Sequence, residues 1–289
     1  MNISLQWDRR KLLQSPLFEP LHSALLHLGG DDFPELTDFN ELLAKQTPIM
    51  VQSGKQLVFV EQQLGKPGFE SQYEPRCYLS GEVQTRENNY HDLFNALVWM
   101  IFPRSKSAIN ALHYRALTKS KSAANNHKDT SEFNTQRGRT RDMGTLFDES
   151  GIVIPYADPN LAKLLYDFKW KELFWSCRNE LKTNMGFYLF GHGLYEKAIN
   201  PYIGFTGQGL LLQVKEEFFT WDLRHRIKYL DEQVAIYLEE PAHCRDTREL
   251  TPVPLLGIPG WSAENERPEY YDNQKYFRPG RRGQLSKNK

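Results

Sequence analysis

Between Thr85 and Lys106 the apolar residues Leu93, Phe94, Leu97, Val98, Met100 and Ile101 recur with the spacing of a helix buried over most of its surface. His91, Asp92 and Asn95 sit on or beside that surface, and polar groups so placed need partners. The pattern predicts a core helix that starts at Asn88 or Asn89, either of which can cap it. Pro103 closes that helix or opens the next, predicted over Arg104 to Leu117, where Lys106, Asn110 and His113 fall.

On the amino-terminal side, leucines from Leu12 to Leu28 keep a helical rhythm broken at Pro16 and Pro20, and Asp38 to Lys45 predicts a further short helix. Ile49 to Val51 and Gln56 to Glu61 read as a hairpin, and Arg76 to Leu79 as a strand or extended arm ended by Gly81. Beyond Leu117 the polar stretch 118–136 reads as a mobile surface loop. Asp148 to Gly151 reads as a hairpin turn before a strand at Ile152 to Ile154.

Asp158 and Pro159 start a helix that runs to about Phe168, and another follows through Leu181. Met185 to Ile199 keeps helical spacing despite Gly191 and Gly193, each of which costs about 1 kcal/mol relative to alanine in a helix. Tyr202 to Phe219 fits a helix better than a strand, and Asp222 to Glu240 is a charged amphipathic helix. From Pro241 the chain is rich in proline and aromatic residues and predicts an irregular arm over residues 241–289. The expected architecture is a single, mainly helical α+β domain over residues 1–289, with a small β element and that arm.

Composition narrows the class. With 40% hydrophobic and 13% aromatic residues the chain can bury a sizeable core, and 36 basic against 36 acidic residues leave no net field to attract nucleic acid. No run of about 20 apolar residues predicts a membrane span, and the charges at Asp8 to Lys11 leave no apolar signal core, so a cytoplasmic location is expected. Cys77, Cys177 and Cys244 are odd in number and widely spaced, which suits neither a disulfide framework nor a zinc knuckle. Phosphate-binding loops, dinucleotide fingerprints and nucleophile elbows are absent from the sequence.

Two groups of residues carry candidate chemistry. His91, Asp92 and Asn95 with His192, Tyr195 and Glu196 place two imidazoles, carboxylates and an amide on two helices whose facing would build one pocket. His91, His192 and Glu196 are a candidate divalent-metal set, and His91, Asn95, His192, Glu196 and Asp142 a candidate acid/base set. The competing reading is a buried polar cluster that serves only the core. Arg137, Arg139, Arg141, Arg104 and Lys106 form the second group, with Arg141, Arg104, Tyr195 and Arg278 the candidates to hold a small anionic ligand. Asp148 and Glu149 could be acid/base carboxylates or metal ligands but read first as turn residues, and Asp272 and Arg278 either close a pocket or pin the arm.

Several ordered stretches resemble the bacterial domain-of-unknown-function family 3025. They are TREN with HDLFNAL, Trp99 and FPR; Arg141 and Asp142 with Asp148 to Gly151; GHGLYEK at Gly191 to Lys197; and LGIPGW, Asn265, Tyr271 with Asp272, and Phe277 to Pro279. The resemblance covers about Tyr73 to Arg281, with departures at Gly193, where alanine is expected, and in the polar insert after Leu117. It implies no activity. Two functions remain open on the sequence: a metal-assisted or acid/base hydrolase of a small anionic or nucleotide-like substrate, or a binding or scaffold protein using the arm or the 118–136 stretch.

Overall fold

A computed structural model describes residues 7–30, 32–63, 65, 68–125 and 131–280, without the side chains of 120–137. Its helices are α1 (Arg9–Gln14), α2 (His22–His27), α3 (Leu36–Ala44), α4 (Tyr73–Ser80), α5 (Tyr90–Ile101), α6 (Pro103–Asn125), α7 (Ser131–Ser150), α8 (Pro159–Tyr166), α9 (Arg178–Asn184), α10 (His192–Ala198) and α11 (Leu223–Glu239). The strands are β1 (Val58–Glu61), β2 (Glu82–Thr85), β3 (Gly151–Tyr156), β4 (Tyr188–Leu189), β5 (Thr206–Gln213) and β6 (Thr251–Pro254). The protein is thus a mainly helical α+β domain, as the pattern predicted, and its buried apolar side chains join into one cluster.

Helix α5 is the centre of that cluster, with every residue from Asp92 to Met100 buried. Asn89 caps it by accepting a bond from the Asp92 amide, and α6 starts at Pro103, a residue that lacks only an amide hydrogen the first turn does not use. Beside it lies a four-stranded sheet in the order β4-β3-β5-β6, in which β3 and β5 run parallel and the outer strands antiparallel. Five of the six residues of β3 are buried, the continuous apolar run of a strand covered on both faces. A separate parallel pair, β1 and β2, aligns Val58 with Glu82.

Several expectations are corrected. Arg76 to Leu79 is helical, within α4, and the helix ends at Gly81 with φ 76°, where a Cβ would lie 2.1 Å from the Gln56 carbonyl oxygen. Only glycine fits both that angle and that approach. The hairpin at residues 49–61 reduces to one antiparallel bridge, Met50 with Gln56, before β1 pairs with β2 instead. Residues 206–213 form β5 and not a helix, because Gly207 and Gly209 let the backbone pack against Leu255, Ile154 and Thr251.

Residues 185–199 split into β4 and α10, with a glycine at the join. The polar stretch 118–136, expected as a loop, is helical at both ends, up to Asn125 and again from Ser131. Residues 126–130 and the Arg137 side chain lie outside the described residues. Asp148 to Gly151 is the end of α7 running directly into β3, not a hairpin turn.

From Pro241 to Gly280 the chain is irregular as predicted, apart from β6 and short 3-10 turns, and residues 281–289 of the predicted arm lie outside the described residues. Tyr271, Tyr276, Phe277 and Ile258 belong to the core, so the arm is a wall of the domain. Among the described residues no helix is long and apolar enough to cross a membrane, and the three cysteines are free.

Candidate metal centre

Three helix ends meet over one wall of an open cleft of about 580 Å³. His91 stands in the first turn of α5, His192 opens α10, and Asp148 and Glu149 occupy the last turn of α7. Both α5 and α7 pack against α10, which is why two histidines 101 residues apart become neighbours. Their Nε2 atoms lie 3.0 Å apart, and Glu149 Oε1 lies 3.7 Å from His91 Nε2 and 3.5 Å from His192 Nε2. Two nitrogen ligands of a tetrahedral zinc bonded at ~2.0–2.1 Å stand ~3.3 Å apart. The triangle therefore has the size of one face of such a coordination shell, made of two imidazoles and a carboxylate.

The far nitrogen of each ring faces a second carboxylate. Glu196 Oε2 is 3.3 Å from His91 Nδ1, and Asp148 Oδ2 is 3.6 Å from His192 Nδ1. A carboxylate behind the imidazole fixes the tautomer that leaves Nε2 free to ligate. His192 is buried at 5% exposure, and 3.6 Å is too long for a hydrogen bond, so its Nδ1 has no partner among the described residues. A polar atom left so in the interior is costly, and a small inward shift on metal binding would satisfy it.

Two acids at the carboxyl end of α7 oppose the helix dipole, so neighbours must hold their charge. Lys106, 3% exposed, donates to Asp148 Oδ1 at 2.5 Å and to Asn95 Oδ1 at 2.9 Å. Burial would raise the Asp148 carboxyl, but the charges of Lys106 and His192 bring it below its ordinary value. Glu149 is also lowered, by the hydrogen bond of His192 first and then by the charge of His192 and His91, against the pull of partial burial. Asn95 passes its amide on to the Tyr73 hydroxyl at 2.8 Å, which closes the chain Asp148, Lys106, Asn95, Tyr73. Burial pushes the Tyr73 phenol well above its usual value, so it stays protonated.

The cleft is also lined by Gln62, Gln72, Tyr73, Glu74 and Arg86. Arg86 is occupied by Asp92, with two guanidinium bonds of 2.8 Å and a backbone amide bond of 2.7 Å. Asn110 and His113 share a face of α6 here, as their spacing predicted. Burial lowers His113 to about 4, so it is neutral at physiological pH.

The predicted residues divide. His91, Asn95 and His192 converge on the cleft, and Glu196 stands behind His91 rather than in the triangle, where Glu149 takes the third corner. Arg141 and Asp142 are exposed on α7, and Arg141 is near enough for its charge to reach Glu74 and His113. Arg104 is paired with Glu232 at 3.2 Å. Arg278 bonds the Lys275 carbonyl in the arm, and Tyr195 is a fully buried ring bonded to the Leu189 carbonyl at 2.6 Å. Asp272 pairs with Lys171, so it pins the arm.

Sequence reasoning ranked Asp148 and Glu149 as turn residues ahead of acid/base carboxylates or metal ligands, because an acidic pair before Ser-Gly looks like a turn. The available signal was Gly193: a Cβ there would lie 2.6 Å from Glu149 Oε2. The family model described as Protein of unknown function (DUF3025) matches residues 57–281, a span that contains every residue of the triangle. No curated protein and no solved structure matches the chain.

Proposed function

Because this chain belongs to the DUF3025 family, whose description assigns no activity, we propose a function from the site itself: a metal-assisted hydrolase in which His91, His192 and Glu149 hold one divalent cation. The observation that carries the proposal is the triangle of 3.0, 3.5 and 3.7 Å between the three donor atoms, with a carboxylate behind each imidazole. Two nitrogens and one carboxylate oxygen suit zinc, and a three-ligand set keeps a coordination position open for water or substrate. Such a cation supplies a Lewis acid and lowers the pKa of bound water toward ~7.

The residues around it have separable tasks. Glu196 and Asp148 orient the two imidazoles, and Lys106 keeps Asp148 ionised. Gln62 and Gln72, which line the same cleft, offer amide groups to a polar substrate, and the charge of Arg141, exposed on α7, reaches Glu74 and would favour an anionic end. Arg86 and Lys106 are already held by Asp92 and Asp148.

The test is calorimetric titration of chelator-treated protein with zinc, and with manganese for comparison. One equivalent of zinc is expected to bind, with the affinity at least ~1000-fold lower in His192→Asn and in Glu149→Gln while circular dichroism stays unchanged. A correctly folded wild type that takes up neither cation sinks the reading and leaves the 3.0 Å contact as a hydrogen bond between two imidazoles.

A further inference from the structure

Every carboxylate lining the cleft has a cationic or imidazole partner, except one. Asp92 holds Arg86, Asp148 holds Lys106, and Glu149 faces both histidines. Glu74, in the first turn of α4 and lining the same cleft, makes no ion pair among the described residues. Its contact is the Asn110 amide, which donates to Glu74 Oε2 at 2.6 Å and to the Glu74 carbonyl at 3.0 Å. Asn110 thereby fixes the carboxyl in place without neutralising it. The Asn110 Oδ1 atom, buried beside it, has no partner among the described residues.

We infer that Glu74, which lines the same cleft as the metal triangle, is the proton-transfer group of this site, acting first as base and then as acid. The inference rests on the hydrolase reading above. In the step it performs, the oxygen of a water molecule bonds to the substrate's carbonyl carbon while one of its protons passes to the Glu74 carboxylate. That proton then moves to the leaving oxygen or nitrogen as its bond to carbon breaks and the electron pair leaves with it. Ester or amide plus water becomes acid plus alcohol or amine, and Glu74 ends as it began.

The surroundings tune Glu74 for this task. Burial raises its carboxyl to about 7, the Asn110 hydrogen bond opposes the rise, and Asp148 on α7 adds to it. Lys106 on α6 and Arg141 on α7 pull it down by less, and Tyr73 and Cys77 on its own helix are held protonated by burial. His113, the remaining ionisable side chain on this part of the wall, is neutral above about 4. A base whose pKa lies near the working pH transfers protons most effectively in both directions.

The experiment uses the zinc-loaded full chain and 4-nitrophenyl acetate as the probe, from pH 5 to 9, with zinc content measured on each sample. The wild type is expected to show kcat/KM rising through an inflection near pH 7. Glu74→Gln should keep its zinc, lose that inflection and fall at least ~100-fold in rate, the lower bound for a lost general base. Glu74→Asp should retain part of the rate and the inflection, and it replaces Glu74→Gln if the latter does not fold. A zinc-loaded Glu74→Gln with wild-type rate and profile overturns the inference and leaves the metal site standing, as does an unaltered Glu74→Asp in its place. A zinc-loaded wild type inert toward this activated ester overturns it as well, whereas failure to bind zinc at all removes the metal site first.

Discussion

The arm and the cleft both bury polar side chains, and they do opposite things with them. In the arm, Asn265, Tyr276 and Tyr271 close on the main chain. Asn265, with no exposed surface, donates to the Leu256 and Ile258 carbonyls and accepts from Arg178. Tyr276 donates to the Phe205 carbonyl and accepts from the Leu256 amide, and Tyr271 donates to the Gly257 carbonyl. In the cleft, side chains pair with one another, and His192 Nδ1 and Asn110 Oδ1 stay without partners among the described residues. Polar atoms satisfied by backbone hold an irregular chain in place. Polar atoms that converge on a cavity and stay open are available to a ligand.

The contrast is broken most directly at Asn265. Asn265→Ala strands two buried carbonyls and the Arg178 contact, and is expected to cost about 3 kcal/mol of unfolding free energy in urea titration. Zinc affinity of the folded fraction should not change. A loss of zinc binding with stability intact would mean that arm and cleft are not separate in role.

Acid titration separates the two regions next. His113 is lowered from 6.5 to about 4, so its contribution to stability is present above pH 6.5 and lost as the pH falls toward 4. Glu74 is raised from 4.5 to about 7, so its contribution is present below pH 4.5 and lost as the pH rises through 7. The two oppose each other between about 4.5 and 6.5, and that part of the wild-type stability curve should be shallow. His113→Gln removes one of them, leaving stability that falls as pH rises across this window, by up to about 3 kcal/mol. Arm variants should lower the whole curve without tilting it. A His113→Gln curve parallel to the wild type would place the titration elsewhere.

The smallest effect sharpens the contrast within the cleft. Gly193→Ala puts a methyl 2.6 Å from Glu149 Oε2 and 3.0 Å from the Glu149 carbonyl oxygen. The side-chain carboxylate is free to swing aside, so the fold should survive while the third ligand is displaced. We expect zinc affinity to fall by about tenfold, near 1.4 kcal/mol, with little change in the unfolding midpoint. A cooperative loss of fold without altered zinc affinity would make Gly193 a packing residue alone.

How far the sequence reaches can be followed along α5 and into its neighbours. The apolar spacing, the Asn89 cap and the proline at position 103 are local signals, and each gives the element found. Asp158 before Pro159 and Asp222 before α11 are equally legible, because a cap is satisfied within three residues. Strand β5 was not legible, since its glycines are explained only by Ile154, Thr251 and Leu255 pressing on them. Glu149 ranked second to a turn for the same reason, because its helix end is identified as part of a site only when α10 lies against it.

Short-range chemistry in the chain determined where α5, α8 and α11 start and that α6 opens at or beside Pro103, which positions of α5 face the core, and that His91 and His192 bring imidazoles to helices with buried surfaces. Tertiary packing alone decided that their Nε2 atoms stand 3.0 Å apart, that Glu149 and not Glu196 completes the triangle, and that Glu74 lines the same cleft with no ion pair among the described residues. The reason is physical. Caps and periodicity are satisfied within a turn or two, whereas donor distances and burial depend on contacts between segments about a hundred residues apart.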